Sequence, residues 1–445
     1  MTDRLAVNEH YLNRVVAVAE TAGIEATEDI VTGNGIKLVA KGARIDARAK
    51  DRLLQHKLLK PLESTVRVID GVGSRPIGKV AEDLLGKHSL LAGVCGRSTS
   101  LEVLSAMRNL RLTTPMESLL SVYAAQGPNK LEHAVGVSLL AASMVHDLPE
   151  GSGKGLQLLM LAGLMHDVGE LYIDPVILQA SGRLTAEQWK HIAAHPIIAA
   201  HVLRDMSGAG LKVAEAVRCH HERLDGFGYP LGLRDTSLPI AGQVLALAEA
   251  LMGLIESGPS AGERAAIAVK LIPGEFNRRL LDRVCSAAKA DAESPAAEEA
   301  PGPPACIQKL AARVARLGAT LERLCGMRDG IVEQISLGSP ALKELMSHAL
   351  ERCQRIRFAF SSTGLDVHAL DELCDRLAAM GPKVHCEIDI VLLEVEWRLR
   401  EVKRETRVRA ERLPPHEAAL VQQLIELSKG HEKVPGQEAP VLQQH

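Results

Sequence analysis

Five histidines and two carboxylates recur through the middle of this chain at intervals of about one helix plus one loop. They are His133, His166 with Asp167, His195, His220 with His221, and Glu249, separated by 33, 28, 25 and 28 residues. Such a series lets successive helices each aim one ligand at a common centre. The doublet His220-His221 adds a constraint. Neighbouring helical residues project about 100° apart, so the two rings suit two metal ions and not one. Asp167 can then bridge the ions through its two oxygens. Imidazole with carboxylate, and no thiolate, fits two divalent ions of Fe, Mn or Zn and argues against a structural zinc. His146, His191 and His201 lie in the same region and read as surface or hydrogen-bonded histidines.

The fold class that follows is mainly α. Residues 111–288 read as almost all helix. Before them, 1–110 reads as a small α/β domain: "EDIVTGNGIKLVAKGARID" places Gly33-Asn34-Gly35 between β-prone runs, a hairpin signal. "RAKDRLLQHKLLKPL" reads as a short helix ended by Pro61. After them, 289–304 is rich in Ala, Glu and Pro and reads as a linker. Residues 305–445 read as a helical bundle. Ile307, Leu310, Val314, Leu317, Leu321 and Leu324 step by threes and fours, as do Ile388, Leu392, Val395, Leu399 and Val402. An intramolecular bundle accounts for these seams better than a coiled coil between chains.

Composition excludes several function classes. The net charge is −3 over 445 residues, and aromatics make up 2%. A nucleic-acid binder would carry a basic stripe and stacking platforms, so no nucleic-acid partner is expected. No apolar run is long enough to span a membrane, and no signal-peptide core opens the chain, so the expected location is the cytoplasm. The eight cysteines form no C-x-x-C pair and read as small buried hydrophobes.

"HDVGE" at 166–170, "AHPIIAAHVL" at 194–203 and "HHERLDGFGYPLGL" at 220–233 resemble the HD-GYP domain, a branch of the HD metal-dependent phosphohydrolases. "LPIAGQVLALAEAL" at 238–251 and "GEFNRRLLDRV" at 274–284 are similar to its closing segments. "GNGIKLVAKGARID" is similar to a small domain found ahead of such domains. The resemblance implies an all-helical domain that hydrolyses cyclic di-GMP with a hydroxide shared between metal ions. It implies His133, His166, Asp167, His195, His220, His221 and Glu249 as metal ligands, with Asp167 also catalytic. It implies Gly228, Tyr229 and Pro230 at the mouth of the site, with Arg223 and Asp225 as supporting or substrate-binding groups. A protein partner could dock on the Gly228–Pro230 loop or on the C-terminal bundle.

The chain also departs from that pattern. Glu170, by position a second catalytic candidate beside Asp167, stands where the family has a phosphate-facing lysine. Two outcomes would relieve the reversed charge: Glu170 turns outward, or it pairs with a base such as Arg183 or Lys190. Glu249 replaces an aspartate ligand, and Met252 replaces a supporting aspartate. "SGPS" at 257–260 lacks the family's arginine turn, and Asn129 stands where a third metal would find a glutamate, so two ions are expected. Three functions follow: a cyclic di-GMP phosphodiesterase, a weakened relative that signals by binding, or a phosphohydrolase of another nucleotide.

Overall fold

The computed structural model describes residues 6–146, 153–180, 184–257, 261–292, 304–366 and 370–428. The chain forms two compact units, residues 1–258 and 259–443. Both are built mainly of helices; the described strands are short and confined to the N-terminal part of the first.

The first unit opens with a helix at Glu9–Thr21, whose N-cap Asn8 accepts from the Tyr11 amide. The expected hairpin is present, with strands Ile30–Val31 and Lys37–Val39 antiparallel. Gly35 takes φ 83° in its turn, a conformation open to glycine. A second antiparallel pair joins Ile24–Ala26 to Val66–Val68. Its partners lie some forty residues apart, beyond the reach of any local turn signal. The helix expected to run to Pro61 ends earlier, at Leu54. Three further helices, Ser74–Lys87, Ser89–Cys95 and Arg97–Arg108, lead into the central region.

The centre of this unit is the helix Lys130–Val145, buried at every residue from His133 onward. A helix apolar all round belongs inside a protein. The helix Lys154–Met165 packs on it where Gly163 meets Ser138: a methyl group at Gly163 would lie 2.4 Å from the Ser138 Cα. The Ser138 hydroxyl donates to the Met160 carbonyl across the same contact, at 2.9 Å. This close crossing brings His133 on one helix beside His166 at the end of the other. Met252, on the helix Ile240–Glu256, fills the space over Gly136 and is buried in that contact.

The second unit contains the two heptad seams. The first lies on the helix Pro304–Gly326 and the second on Pro382–Ala410, where Ile388, Leu392, Val395, Leu399 and Val402 are all buried. The helices Pro340–Ser362 and Pro415–Ser428 begin with proline, and Ser339 caps the former. Leu342, Met346, Val421, Leu424 and Ile425 share one core with Ile331 and Ile335, so the helices bury one another within the chain. Glu275 is buried between Arg352 (3.0 Å) and Arg398 (2.9 Å). Thus the segment 261–292 groups with these C-terminal helices, whereas the sequence reading placed a boundary at 288. Residues 293–303 of the expected linker lie outside the described residues. No described helix is long and apolar enough to cross a membrane.

Gly163→Ala is expected to destabilise the first unit by about 1–3 kcal/mol through overpacking against Ser138. A denaturant midpoint unchanged from wild type would contradict this account of the crossing.

Candidate metal centre

Three of the candidate histidines are fixed in the same local way. His166 follows the helix Lys154–Met165, and its Nδ1 donates to the Gly163 carbonyl at 2.7 Å. His195 opens the helix His195–Arg204, and its Nδ1 reaches the Ile192 carbonyl at 2.7 Å. His220 follows the helix Leu211–Arg218, and its Nδ1 reaches the Val217 carbonyl at 2.6 Å. A carbonyl only accepts, so each Nδ1 carries hydrogen and each Nε2 is left as a ligand atom. His133 is held differently, with Nδ1 at 3.0 and 3.2 Å from the Glu256 carboxylate.

The free nitrogens converge in two pairs. His133 Nε2 faces His166 Nε2 at 3.2 Å, and His195 Nε2 faces His220 Nε2 at 2.9 Å. Two lone pairs cannot bond each other; a proton or a cation must lie between them. Asp167 stands between the pairs. Its Oδ1 is 3.3 Å from His195 Nε2 and 3.4 Å from His220 Nε2. Its Oδ2 is 3.2 Å from His166 Nε2 and 3.7 Å from His133 Nε2, and it accepts from the Tyr123 hydroxyl at 3.2 Å. Glu249 Oε2 lies 3.2 Å from both His133 and His166 Nε2.

These groups fit a metal. The site offers two ligand sets that share Asp167: His133, His166 and Asp167, and Asp167, His195, His220 and His221. Glu249 adjoins the first set. Its Oε2 is buried and makes no hydrogen bond, an arrangement that is costly for a carboxylate unless a cation meets it. His221 is less enclosed; its ring stacks on Tyr229 at 4.5 Å and 22°.

Electrostatics agree with the geometry. Burial alone would raise the carboxyl groups, yet His166 holds Asp167, and His133 holds Glu249, well below the usual carboxylate range. Burial opposes protonation of His166, but Asp167 and Glu249 carry its pKa to about 10. His133 and His195 are raised despite burial, by Glu249 and by Asp167 respectively. Burial lowers His220 and His221, and the neighbouring imidazoles add to the shift in His221. Without a metal, protons on some rings neutralise the carboxylates; with one, the cation takes that place.

Residues 113–283 match the family model described as HD domain. A 3′3′-cGAMP-specific phosphodiesterase of Vibrio cholerae is 30% identical over 143 residues, 32% of either chain. A cyclic di-GMP phosphodiesterase of Thermotoga maritima is 33% identical over 102 residues, 23% of this chain and 28% of that one. Residues 113–283 form an HD domain. A second 3′3′-cGAMP-specific phosphodiesterase of Vibrio cholerae aligns over 261 residues at 24% identity, 55% of this chain and 56% of that one. The chain therefore covers about a third or less of the first two relatives and about half of the third.

Within the HD domain the loop after the histidine doublet is organised by Glu222. This buried carboxylate accepts from the amides of Leu231 (2.7 Å), Gly232 (3.1 Å) and Leu233 (3.0 Å). Gly228 lies so close beneath it that a Cβ would stand 2.3 Å from the Glu222 Cα. The result places Tyr229 over His221 and edge-on to Trp189, with Pro230 next in the loop. Arg223 donates to the Glu222 carbonyl, and Asp225 accepts from the Phe227 amide, so both have contacts inside the loop.

Glu170 pairs with a base, as one of the two expectations had it, though with a base not named there. It does not turn outward, and its partner is not Lys190, which pairs with Glu187 at 3.1 Å. Arg183 lies outside the described residues. Instead Glu170 is buried and pairs with Lys130 at 2.6 Å. Its carbonyl accepts from Arg14 at 2.5 Å, and Tyr11 of the same N-terminal helix stacks on Tyr172 at 5.0 Å. Gly169 permits this turn to pack on the next helix, since a Cβ there would lie 2.1 Å from the His195 carbonyl oxygen.

Sequence reasoning missed Glu256, Lys130, Tyr123 and Glu222. Two had a visible signal. Glu256 follows Glu249 by seven residues, two helical turns on one face, and Lys130 precedes His133 by three. Tyr123 and Glu222 acquire their roles only from tertiary contacts.

Glu256→Gln is expected to weaken metal binding by about tenfold or more through His133, read by titration with metal-content analysis; unchanged affinity would assign Glu256 no supporting role. A second expectation concerns pH. The folded pKa of His166 is raised, so its imidazolium stabilises the metal-free protein below about pH 6.5, and that contribution fades as pH approaches 10. Metal binding needs neutral rings and strengthens in the same direction. The increase in Tm given by Mn(II) should therefore grow from pH 6 to 8.5. A flat or falling increase would count against these residues as ligands.

Proposed function

We propose that this HD-GYP domain is a two-metal phosphodiesterase acting on a cyclic dinucleotide, cyclic di-GMP. The observation that carries the reading is Asp167, buried, with one carboxylate oxygen toward each of two histidine pairs. In this reading His133, His166, Glu249 and Asp167 hold one ion of the Fe, Mn or Zn class. Asp167, His195, His220 and His221 hold the other. A pair of such ions supplies a water acidic enough to attack at neutral pH and a counter-charge for the phosphoryl oxygens.

The chain's own groups do the positioning. The backbone carbonyls of Gly163, Ile192 and Val217 keep three imidazoles in the ligating tautomer. Tyr123 keeps Asp167 in place by a hydrogen bond to Oδ2. The stacked rings of His221 and Tyr229 give the mouth an aromatic side, against which a base or ribose of the substrate can lie. Gly228 and Pro230 shape this mouth; Arg223 and Asp225 support it from within the loop. Tyr229 and Pro230 are only half-buried, so the same loop, or the C-terminal bundle, offers a surface to a protein partner.

A second substrate, 3′3′-cGAMP, is favoured by one observation: a relative at 30% identity bears that name. The two differ in one base and share the phosphodiester linkage on which such a centre would act.

The test is turnover of each cyclic dinucleotide by the Mn(II)- or Fe(II)-loaded full chain. Two bound metals and hydrolysis, falling to background in Asp167→Ala, are expected. Two metals with neither compound hydrolysed would move the site to another phosphoester. Neither metal nor turnover would sink the catalytic reading and leave a binding role.

A further inference from the structure

Lys130 is the first residue of the helix that carries His133, and Glu170 lies three residues after Asp167. The two side chains form an ion pair at 2.6 Å, with the lysine side chain 16% exposed and the glutamate 9%. The ammonium lies 5.3 Å from the ring centre of Tyr123, whose hydroxyl is bonded to Asp167. A cation is thus held at the rim of the centre, one aromatic ring away from the shared carboxylate. Burying an ion pair rarely gains stability over an apolar pair of the same volume. An ammonium has three donors, and the bond to Glu170 takes one.

We propose that Lys130 binds a phosphate oxygen of the substrate at this rim and that Glu170 is its positioning residue. The inference rests on the reading of the centre as a phosphoester site. The reversed charge at Glu170 is then no barrier to an anion, because the glutamate is neutralised by the cation it holds. Carboxylates crowd this centre: Asp167, Glu249 and Glu256 all lie against its histidines. Lys130 is the positively charged side chain that the described contacts place beside them. Burial would weaken its charge, but Glu170, Asp167 and Glu249 together keep it an ammonium. Glu170 also tempers the lysine, so phosphate competes with an existing partner and binds less tightly than to a bare cation.

The experiment measures inorganic phosphate binding to the metal-loaded full chain by calorimetry, with metal content and Tm determined for every variant. Lys130→Gln should raise the phosphate Kd by about tenfold, the scale of a charge-assisted contact, with both metals retained. Lys130→Arg should keep affinity near wild type. Glu170→Gln, which removes the competitor, should tighten phosphate binding. Equal phosphate affinity in wild type and Lys130→Gln overturns the proposal, whatever happens to Tm. So does a loaded wild type that binds no phosphate. Loss of metal in Lys130→Gln also overturns it, by assigning the lysine to holding the centre together. Lys130-dependent phosphate affinity without turnover of cyclic di-GMP or 3′3′-cGAMP sinks only the choice of substrate.

Discussion

The centre of this protein depends on one buried carboxylate. Asp167 divides its oxygens between two pairs of imidazoles, and each pair comes from two different helices or their ends. Burying such a charge without partners would cost several kcal/mol. The packing around it serves to bring those partners in. Gly163 allows the crossing that delivers His133 and His166, and Gly169 allows the turn after Asp167 to reach the helix of His195. Both glycines do so by leaving out a methyl group where two backbones meet.

Around this core, the positions where the sequence departs from the pattern it resembles have defined contacts. Met252 fills space over Gly136, and the carboxylate that supports His133 comes from Glu256, one turn further along the helix. Glu170 reverses a charge, and Lys130 on the adjoining helix restores a cation beside it.

The N-terminal helix belongs to this arrangement as well. Arg14 reaches the Glu170 carbonyl and Tyr11 stacks on Tyr172, so the turn that follows Asp167 is braced from outside the HD domain. Those contacts join residues more than 150 positions apart. Both lie within the compact unit of residues 1–258.

The sequence by itself determined the candidate ligands and the class of fold. The intervals between His133, His166, His195, His220 and Glu249, the hairpin at Gly33–Gly35, and the seams of the C-terminal helices are all periodic or local signals. Such signals survive in one dimension because they arise from backbone geometry within a few residues. Only the tertiary structure decided which nitrogen of each ring faces the centre, which oxygen of Asp167 serves which pair, and what Glu170 holds. The pairing of Ile24–Ala26 with Val66–Val68 belongs with these, as does the grouping of 261–292 with the C-terminal bundle. Lys130 and Glu170 are 40 residues apart, and each reads alone as an ordinary surface charge. Their partnership exists because two elements pack side by side, and packing is set by the whole core.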